Sequence, residues 1–228
     1  MKPVQDVLQD RTWMRVRMSR DDLLHIVIAT RNPHKFKELK ALLGMPGIRW
    51  HSLEALPHVT SVPETGRTYE ANARQKALAV ARAIGGLAMA DDSGLEVDAL
   101  DGAPGVQSAR FAGGHGDDQA NNKKLLRLLG RRPMSQRRAR YRCVLALARP
   151  AGIIRVVEGS WTGRIAVRPA GSRGFGYDPV FLVARFGKTV GQLSPRLKQR
   201  FSHRAMAARR LRPILNRLAR ASRARRSP

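Results

Sequence analysis

Apolar and polar stretches follow one another along this chain, and their spacing predicts the order of helices and strands. The continuous apolar run over 25–30 is typical of a short buried strand, and apolar residues at helical spacing over 34–44 predict a helix directly after it. A second strand is predicted over 48–53. A long helix follows over 68–86, with a threonine as its N-terminal cap and a glycine at its end.

The second half of the chain predicts a less regular series of elements. Residues 87–100 are interpreted as a strand, an acidic turn at ADDSG and a second strand. The later predicted elements are a helix over 117–130, a hairpin that turns at 149–152, a turn and strand over 175–183, and a helical segment over 194–226. Pro213 should break or kink that last segment. Strands and helices alternate without strict order or internal repeat, which favours an α/β fold with a mixed sheet.

Length and composition indicate one globular unit. The chain has 228 residues, of which 43% are hydrophobic, enough to bury a full core. No apolar run approaches the roughly 20 residues that a membrane-spanning helix needs, and residues 1–24 carry four aspartates where a signal peptide would be apolar. We therefore expect a cytoplasmic protein with no membrane partner, in which residues 1–24 form a disordered extension. The single cysteine, Cys143, lies in an apolar strand pattern that favours the core.

The net charge of +26 is extreme and unevenly distributed. No acidic residue follows Asp178, whereas 14 lysines and arginines do. A field of this sign attracts polyphosphates in general, including nucleotides, nucleic acids and anionic lipid. The charge therefore indicates a class of partner, and residues 213–228 are expected to form a basic, Arg-rich tail that can contact polyanions.

Four polar segments could carry chemistry, and the first is TRNPHK (30–35), between a predicted strand and the helix after it. Backbone N–H groups at a helix N-terminus, together with one lysine, can bind phosphate, although the glycine pattern of a P-loop is absent here. Read alone, the segment is more often an ordinary strand-to-helix turn.

The second segment is acidic. Asp91 and Asp92 are adjacent in the predicted turn, and Glu64 lies in PETG. Adjacent carboxylates repel each other unless a cation is present. Carboxylate oxygens suit Mg²⁺, which would bridge phosphate oxygens and leave one carboxylate to orient or deprotonate water. A solvated acidic turn is the alternative.

Two further segments offer groups that could recognise a nucleoside. In GFGYDP (174–179) two glycines flank Phe175 and let the backbone approach a ligand, and an aromatic ring on such a loop can stack on a base. Phe175 as an ordinary core residue is the alternative. In LKQRFSHR the side chains of Lys198, His203 and Arg204 could contact phosphate or a base edge, or could simply belong to a basic tail.

Taken in order, these segments resemble the non-standard purine NTP pyrophosphatase family, also called inosine triphosphate pyrophosphatases. The resemblance extends over about residues 25–212 and rests on several specific motifs. These motifs are TxNxxK (30–35), ETG (64–66), TxxxNAxxKA (68–77), ADDSGLxVDAL (90–100), GAPGxxSAR (102–110), FGYDP (175–179) and SHR (202–204).

The resemblance implies an elongated α/β fold whose mixed central sheet is flanked by helices, with two lobes and the nucleotide cleft between them. It also implies a homodimer that uses Mg²⁺. The implied activity is hydrolysis of deaminated purine nucleoside triphosphates (ITP, dITP and XTP) to the monophosphate and pyrophosphate, which cleanses the nucleotide pool.

Carried over position by position, the resemblance assigns a role to each matching residue. Asp92 is the implied general base, and Glu64 and Asp92 hold the metal, with Asp91 in support. The residues implied to bind the triphosphate are Thr30, Arg31, Asn32, Pro33, His34, Lys35 and Lys76. Ser93 is implied to contact the substrate. The residues implied to bind the nucleoside and its base are Phe175, Gly176, Tyr177, Asp178, Lys198, His203 and Arg204.

The chain departs from the family pattern at three positions. Ala71 and Gln192 each stand where the family usually has glutamate, and Gln199 stands where it usually has asparagine. These changes remove or lengthen polar groups that are expected near the substrate.

Two other functions fit part of the sequence. A nucleic-acid-binding protein fits the basic tail, but aromatic content is only 5%, the basic residues lack interleaved aromatics, and no RNA-binding motif is present. A related family of pyrophosphatases acts on pyrimidine triphosphates. It typically opens with SxSPRR, which TRNPHK does not match.

Overall fold

The computed structural model describes residues 23–57, 59–60, 62–114 and 116–224. The expected disordered extension lies almost wholly outside the described residues, because only its last two positions are included. The final four residues of the expected basic tail lie outside them as well. In the part of the chain that is described, no helix is long and apolar enough to cross a membrane.

A seven-stranded sheet runs through the described chain. Its strands are β1 (Leu24–Ile28), β2 (Ile48–Ser52), β3 (Leu87–Val97), β4 (Arg138–Arg149), β5 (Gly152–Ile165), β6 (Phe181–Val183) and β7 (Lys188–Thr189). Their order across the sheet is β2-β1-β3-β4-β5-β6-β7. β1 pairs in parallel with β2 and β3, whereas β6 is antiparallel to β5 and β7. The expected α/β fold with a mixed sheet is therefore confirmed.

The α-helices of the described chain are α1 (Pro33–Leu43), α2 (Tyr69–Ile84), α3 (Asp118–Leu129), α4 (Pro195–Phe201) and α5 (His203–Ala224). The predicted limits of α2 are confirmed at both ends. The Thr68 side chain accepts a hydrogen bond from the Ala71 N–H at 3.1 Å, and Gly85 ends the helix in a left-handed conformation. β4 and β5 are neighbours in the sheet and are joined by residues 150–151, which confirms the predicted hairpin.

The chain divides into two compact units, a division that length alone did not predict. The first unit contains residues up to 91, residues 145–157 and the residues from 208 onward. Its fully buried residues include Ile26 of β1 and Leu39 of α1. Continuous apolar runs of this kind bury a strand on both faces, which is why the run over 25–30 predicted β1 correctly.

The second unit contains residues 92–144 and 158–207 and has its own apolar core. This core combines aliphatic side chains with large aromatic rings. Its buried members include Leu95, Leu125, Tyr141, Trp161 and Phe181. The Tyr141 and Phe181 rings lie with their centroids 4.4 Å apart, so the polar hydroxyl of a tyrosine is brought into an apolar cluster.

The predicted acidic turn at ADDSG is wrong, because this segment lies inside β3, a continuous strand. Asp91 and Asp92 are only 1% and 5% exposed. The turn was expected because two adjacent carboxylates are costly to bury. In the structure Lys35 forms an ion pair with Asp91, and Lys76 donates to the Asp91 carbonyl, so positive charge from two other elements lowers that cost.

Pro213 was expected to break or kink the last helix, and the break is wrong, because α5 continues through this residue. A proline inside a helix costs about 3 kcal/mol, since it lacks the N–H donor and crowds the preceding turn. The neighbouring Leu211 and Leu215 are both fully buried. Burying a leucine side chain contributes roughly 1.5–3 kcal/mol, so two of them offset the cost of the proline. The basic segment is therefore helical as far as Ala224.

Candidate active site

The loop between β1 and α1 brings the residues predicted to bind phosphate to the N-terminus of a helix. The Thr30 hydroxyl accepts a hydrogen bond from the Asn32 N–H at 3.2 Å. The Asn32 side chain accepts one from the Lys35 N–H at 3.0 Å and so caps α1. The positive end of the α1 dipole therefore coincides with an ordered polar loop, an arrangement that suits an anion.

The other residues of this loop differ in what they contact. The Arg31 guanidinium donates to the Val59 carbonyl oxygen at 2.6 Å, which ties the loop to the segment before Glu64. Pro33 and His34 are exposed in the first turn of α1. Proline is well suited to that position, because the N–H it lacks would have no partner within the helix.

Two lysines and two carboxylates of the first unit form an ion-pair cluster. Lys35 Nζ lies 3.0 Å from Asp91 Oδ1, and Lys76 Nζ lies 2.7 Å from Glu64 Oε1. Lys76 also donates to the Asp91 carbonyl oxygen at 2.9 Å, which links the two pairs. The Asp91 side chain is 0% exposed and that of Lys76 only 11%. The four residues depend on one another, because removing one partner would leave a largely buried charge uncompensated.

The turn after Glu64 approaches α2 very closely. The Gly66 N–H donates to the Asn72 side-chain oxygen at 2.7 Å. A Cβ atom at Gly66 would lie 2.7 Å from that oxygen and 2.8 Å from the Ala71 Cβ, closer than real Cβ contacts allow. Glycine at 66 and a small residue at 71 therefore make this approach possible. Ala71, which departs from the family pattern, is part of the contact that positions Glu64.

Glu64 and Asp92 are the carboxylates that the resemblance assigns to Mg²⁺. Within the described residues, no group of three or more histidine, cysteine, aspartate or glutamate side chains is placed to hold a metal ion. Mg²⁺ is commonly bound by one or two carboxylates together with phosphate oxygens of the substrate, without a complete protein cage. Glu64 and the buried Asp92 each offer carboxylate oxygens of this kind, so the chemistry of these two side chains fits the ion.

In the second unit, the Asp178 carboxylate organises the predicted nucleoside loop. It is 2% exposed, and its Oδ2 atom accepts hydrogen bonds from Lys198 Nζ at 2.7 Å and from the Phe175 N–H at 3.0 Å. A Cβ atom at Gly174 would overlap this carboxylate, and Gly174 has a φ of +83°. Glycine is therefore required there. In this structure Asp178 holds both the loop and Lys198 in place.

Phe175 lies under two cationic side chains. Lys198 Nζ is 4.8 Å and Arg204 Cζ is 5.1 Å from the centre of its ring. Arg204 is 4% exposed and donates from Nη2 to the Ser93 hydroxyl at 2.6 Å. Three of the residues predicted to recognise the nucleoside are thus brought together with Ser93, and Phe175 is half-buried beside the charges instead of lying in the core.

Tyr141 is a member of this cluster that the sequence did not reveal. Its hydroxyl donates to Asp178 Oδ1 at 3.2 Å, and its ring stacks on His203 at a centroid distance of 4.6 Å. Burial, and secondarily the charge of Asp178, raise the pKa of Tyr141 well above its usual value. Tyr141 therefore stays protonated and remains a donor.

Asp118 and Asn122 of α3 hold the backbone of Gly176 and were also missed. The Gly176 N–H donates to Asp118 Oδ2 at 2.5 Å, and the Asn122 side chain donates to the Gly176 carbonyl at 2.9 Å. The next residue is fixed as well, since the Tyr177 hydroxyl donates to the Ser108 carbonyl at 2.9 Å. Two polar side chains four residues apart share one face of a helix, and this spacing in DDQANN was the signal available in the sequence.

The structure also shows where the two glutamines that depart from the family pattern lie. Gln192 Oε1 accepts a hydrogen bond from the Thr189 N–H at 3.0 Å and so closes a short capping box. Gln199 is exposed on α4. The side-chain hydrogen bonds of Gln192 are therefore with Thr189 in its own turn.

A mixed α/β fold with a capped helix N-terminus and paired lysines and carboxylates defines a class of protein suited to a polyphosphate and a divalent cation. Comparison with known proteins identifies the family. The model of the Ham1 family matches residues 26–214, and the chain belongs to this family. The resemblance drawn from the sequence motifs is therefore confirmed.

Relatives found by sequence include proteins named dITP/XTP pyrophosphatase. The protein of Desulforamulus reducens is 50% identical over 195 residues, which cover 86% of this chain and 97% of the relative. The protein of Bacillus subtilis is 46% identical over 189 residues, which cover 83% of this chain and 96% of the relative.

Solved structures give the same result. The Staphylococcus aureus Ham1 protein is 41% identical, with a TM-score of 0.76 over 85% of this chain and 99% of that protein. A nucleoside-triphosphatase, dITP/XTP pyrophosphatase, from Mycobacterium abscessus is 45% identical, with a TM-score of 0.69 over 83% of this chain and 100% of that protein.

Proposed function

We propose that this chain hydrolyses deaminated purine nucleoside triphosphates (ITP, dITP and XTP) to the monophosphate and pyrophosphate, with Mg²⁺. The observation that carries the proposal is the partly buried cluster of Lys35, Lys76, Glu64 and Asp91, followed directly along β3 by Asp92 and Ser93. Relatives that bear the name dITP/XTP pyrophosphatase support the same substrate class.

Binding of the triphosphate is assigned to the loop 30–35 and to Lys76. Triphosphate oxygens would replace Asp91 and Glu64 as partners of the two lysines, whose ammonium groups are already held in place by the ion pairs. Preformed positive groups stabilise developing phosphate charge without reorganisation during the reaction. Glu64 and Asp92 would hold Mg²⁺, which when bound neutralises phosphate charge.

Asp92 is assigned as the general base. It is 5% exposed, and a carboxylate with little bulk water around it can accept a proton from one positioned water molecule. That water would attack the α-phosphorus, and the bond from the α-phosphorus to its bridging oxygen would break. Pyrophosphate would leave with that oxygen, and the monophosphate would keep the new one. Asp91 supports Asp92 by keeping Lys35 in place.

Recognition of the base is assigned to the cluster around Phe175. Hypoxanthine and xanthine present an O6 acceptor where adenine presents an amino donor. Arg204 and the backbone near His203 can donate to the acceptor, but they would leave an adenine amino group facing another donor. Sites that depend on such hydrogen bonds discriminate by about 10⁴ or more. The ring of Phe175 offers a stacking face, and the cations beside it hold that ring in place.

A homodimer and a location in the cytoplasm, where the nucleotide pool lies, complete the proposal. Light scattering coupled to size-exclusion chromatography distinguishes a dimer from a monomer directly. A monomer that retains full turnover would remove the dimer from the proposal and leave the chemistry unchanged.

The position of the cut is tested by hydrolysing ITP with Mg²⁺ in water enriched in ¹⁸O and analysing both products by mass spectrometry. We expect IMP that carries one ¹⁸O atom and unlabelled pyrophosphate. Label in the pyrophosphate would mean attack at the β-phosphorus. IDP and orthophosphate as products would contradict the proposed reaction.

A further inference from the structure

The part of α5 in the first unit has two different faces. Its inner face is apolar, and Leu211, Leu215 and Ala219 are 0%, 0% and 7% exposed. Its outer face is composed largely of arginine. The exposed arginines of this segment, here called the α5 outer face, are Arg209, Arg210, Arg212, Arg217, Arg220 and Arg223.

The arginines are spread over one side of the helix and along its length. At 100° per residue they cover an arc of about 160° around the helix axis, and at 1.5 Å per residue Arg209 and Arg223 are about 21 Å apart. No aspartate or glutamate occurs on α5, and none follows Asp178. The face therefore carries arginine charge along its whole length, with no carboxylate on its own helix.

Two of these arginines connect the outer face to the end of α1. Arg212 Nη2 donates to the Gly44 carbonyl at 3.3 Å. The Arg223 guanidinium lies against Gly47, where a Cβ atom would be 2.6 Å from its Nη2 atom. Lys40 is exposed in the last turn of α1, close in sequence to both glycines. The basic surface thus extends from α5 to the C-terminal end of α1.

We propose that the α5 outer face binds the phosphate backbone of duplex DNA. Its chemistry suits regularly spaced negative charges, and duplex DNA carries one about every 1.7 Å along its axis. The major groove of B-DNA is about 12 Å wide and bordered by phosphates on both sides, which matches the width of a helix whose arginines point outward over a broad arc.

Other occupants fit the outer face less well. A membrane-surface helix needs an exposed apolar side, and the large hydrophobic residues exposed in the described chain are Leu128 and Val167, neither of them on α5. Single-stranded nucleic acid is usually bound by stacking on aromatic rings, and the α5 outer face contains no aromatic residue. A second copy of this chain that presented its own α5 outer face would be repelled, because both faces carry the same row of arginines.

This inference does not depend on the proposed hydrolysis, because none of the residues assigned to the reaction lies beyond position 207. The predicted binding is independent of base sequence, since arginines that contact only phosphates carry no sequence information. It is also strongly dependent on salt, because each neutralised phosphate releases a counterion.

The test uses the full chain, a fluorescent 20-base-pair duplex and anisotropy titrations from 50 to 300 mM NaCl. The variant Arg212→Gln/Arg217→Gln/Arg220→Gln removes three charges from the α5 outer face and keeps good helix formers. The matched control Lys123→Gln/Arg127→Gln/Arg131→Gln removes three exposed charges from α3 and the residues after it. Pyrophosphate release from ITP and thermal melting show that both variants are folded.

We expect the α5 variant to bind duplex DNA at least about tenfold more weakly than the unchanged chain at 50 mM NaCl. The slope of log K against log salt should decrease in magnitude by about 2 to 3. The control should remain within about twofold. Equal weakening in both variants would mean that net charge alone binds DNA. Unchanged DNA affinity in the α5 variant would mean that the α5 outer face does not contact DNA. Either result overturns the proposal.

Two further titrations distinguish duplex DNA from the other candidate ligands of the α5 outer face. Single-stranded DNA of the same length, or vesicles containing phosphatidylserine, replaces the duplex. Tighter binding of either one, with the same loss in the α5 variant, would overturn the assignment to duplex DNA. Weaker binding of both supports it.

Discussion

In the first unit the charged site residues are paired with one another, whereas in the second unit they surround one carboxylate and one aromatic ring. Lys35 and Lys76 neutralise carboxylates at 3.0 and 2.7 Å. Asp178 instead accepts hydrogen bonds from a lysine, a tyrosine and a backbone N–H. A cluster of ion pairs can exchange its partners for phosphates, while a hydrogen-bonded carboxylate fixes the shape of a loop.

The difference suits two different tasks. Phosphoryl chemistry needs charge neutralisation, and ion pairs keep cations available for a ligand that carries several negative charges. Discrimination between bases needs donors that do not move, because a misplaced donor can satisfy the wrong base. We therefore expect changes in the paired cluster to affect turnover and stability, and changes around Asp178 to affect KM and selectivity.

The largest expected effect is that of Asp92→Asn. It keeps the size of the side chain and removes the proton acceptor, so kcat for ITP should decrease by about 10² to 10⁴ or more, with an unchanged melting temperature. The matched control is Asp101→Asn, at an exposed carboxylate where asparagine tolerates the left-handed backbone. Turnover by Asp92→Asn within tenfold of the unchanged chain would refute the assignment of Asp92 as general base.

Lys76→Met tests whether Lys76 and Glu64 act as a pair. The change leaves Glu64 and the Asp91 carbonyl without the donor at 2.7 and 2.9 Å, so unfolding free energy should decrease by about 2 kcal/mol, and KM for ITP should increase. Adding Glu64→Gln to this variant should restore part of the stability but no activity. If the double variant is less stable than Lys76→Met alone, the two residues do not act as a pair.

Asn122→Ala tests the loop around Asp178. Asn122 itself is not assigned to contact the substrate. It removes the donor to the Gly176 carbonyl, and a lost hydrogen bond of about 1 kcal/mol corresponds to roughly a fivefold change. We expect KM for ITP to increase by about that factor, with kcat nearly unchanged. Lys123→Ala on the same helix is the control. A decrease in melting temperature with no change in KM would reduce Asn122 to a structural role.

Tyr141→Phe should give the smallest effect, one that depends on pH. Because burial and Asp178 raise the pKa of Tyr141 in the folded protein, folding favours the protonated phenol. Both states are protonated below about pH 10, so the contribution to stability is fully present there. It decreases as pH rises above that value, because the unfolded chain loses its proton first.

The measurement is urea unfolding of both proteins at pH 8, 9, 10 and 11. The unchanged chain should be more stable than Tyr141→Phe by about 1 kcal/mol at pH 8. That difference should become smaller at pH 11. A difference that is constant over this range would mean that the hydroxyl of Tyr141 does not titrate differently in the two states.

The sequence predicted elements well where the information was local. The capping of α2 by Thr68 and its end at Gly85 depend on neighbouring residues only, and both are confirmed. The course of β3 through Asp91 and Asp92 was not predictable in this way, because the compensating Lys35 lies 56 positions away in the sequence. Buried polar residues need partners, and these partners can come from anywhere in the chain.

The same limit applies to the site. Motif residues such as Phe175, Lys198 and Arg204 were named from the sequence, and the structure brings them together. Tyr141 and Asn122 were not named, because each acts on the loop through one atom and neither side chain has a pattern of its own. The continuous α5 was missed because propensity alone cannot weigh one proline against a buried apolar face.

The most direct test of the proposed function is kcat/KM for pyrophosphate release with Mg²⁺, measured in parallel for ITP, XTP, dITP, ATP, GTP and UTP. We expect the three deaminated purine nucleotides to exceed ATP by about 10³ or more. Preference for UTP would assign the chain to the chemistry of the pyrimidine-cleaving relatives. Equal values for ITP and ATP would contradict the recognition of O6 by Arg204 and the residues around it.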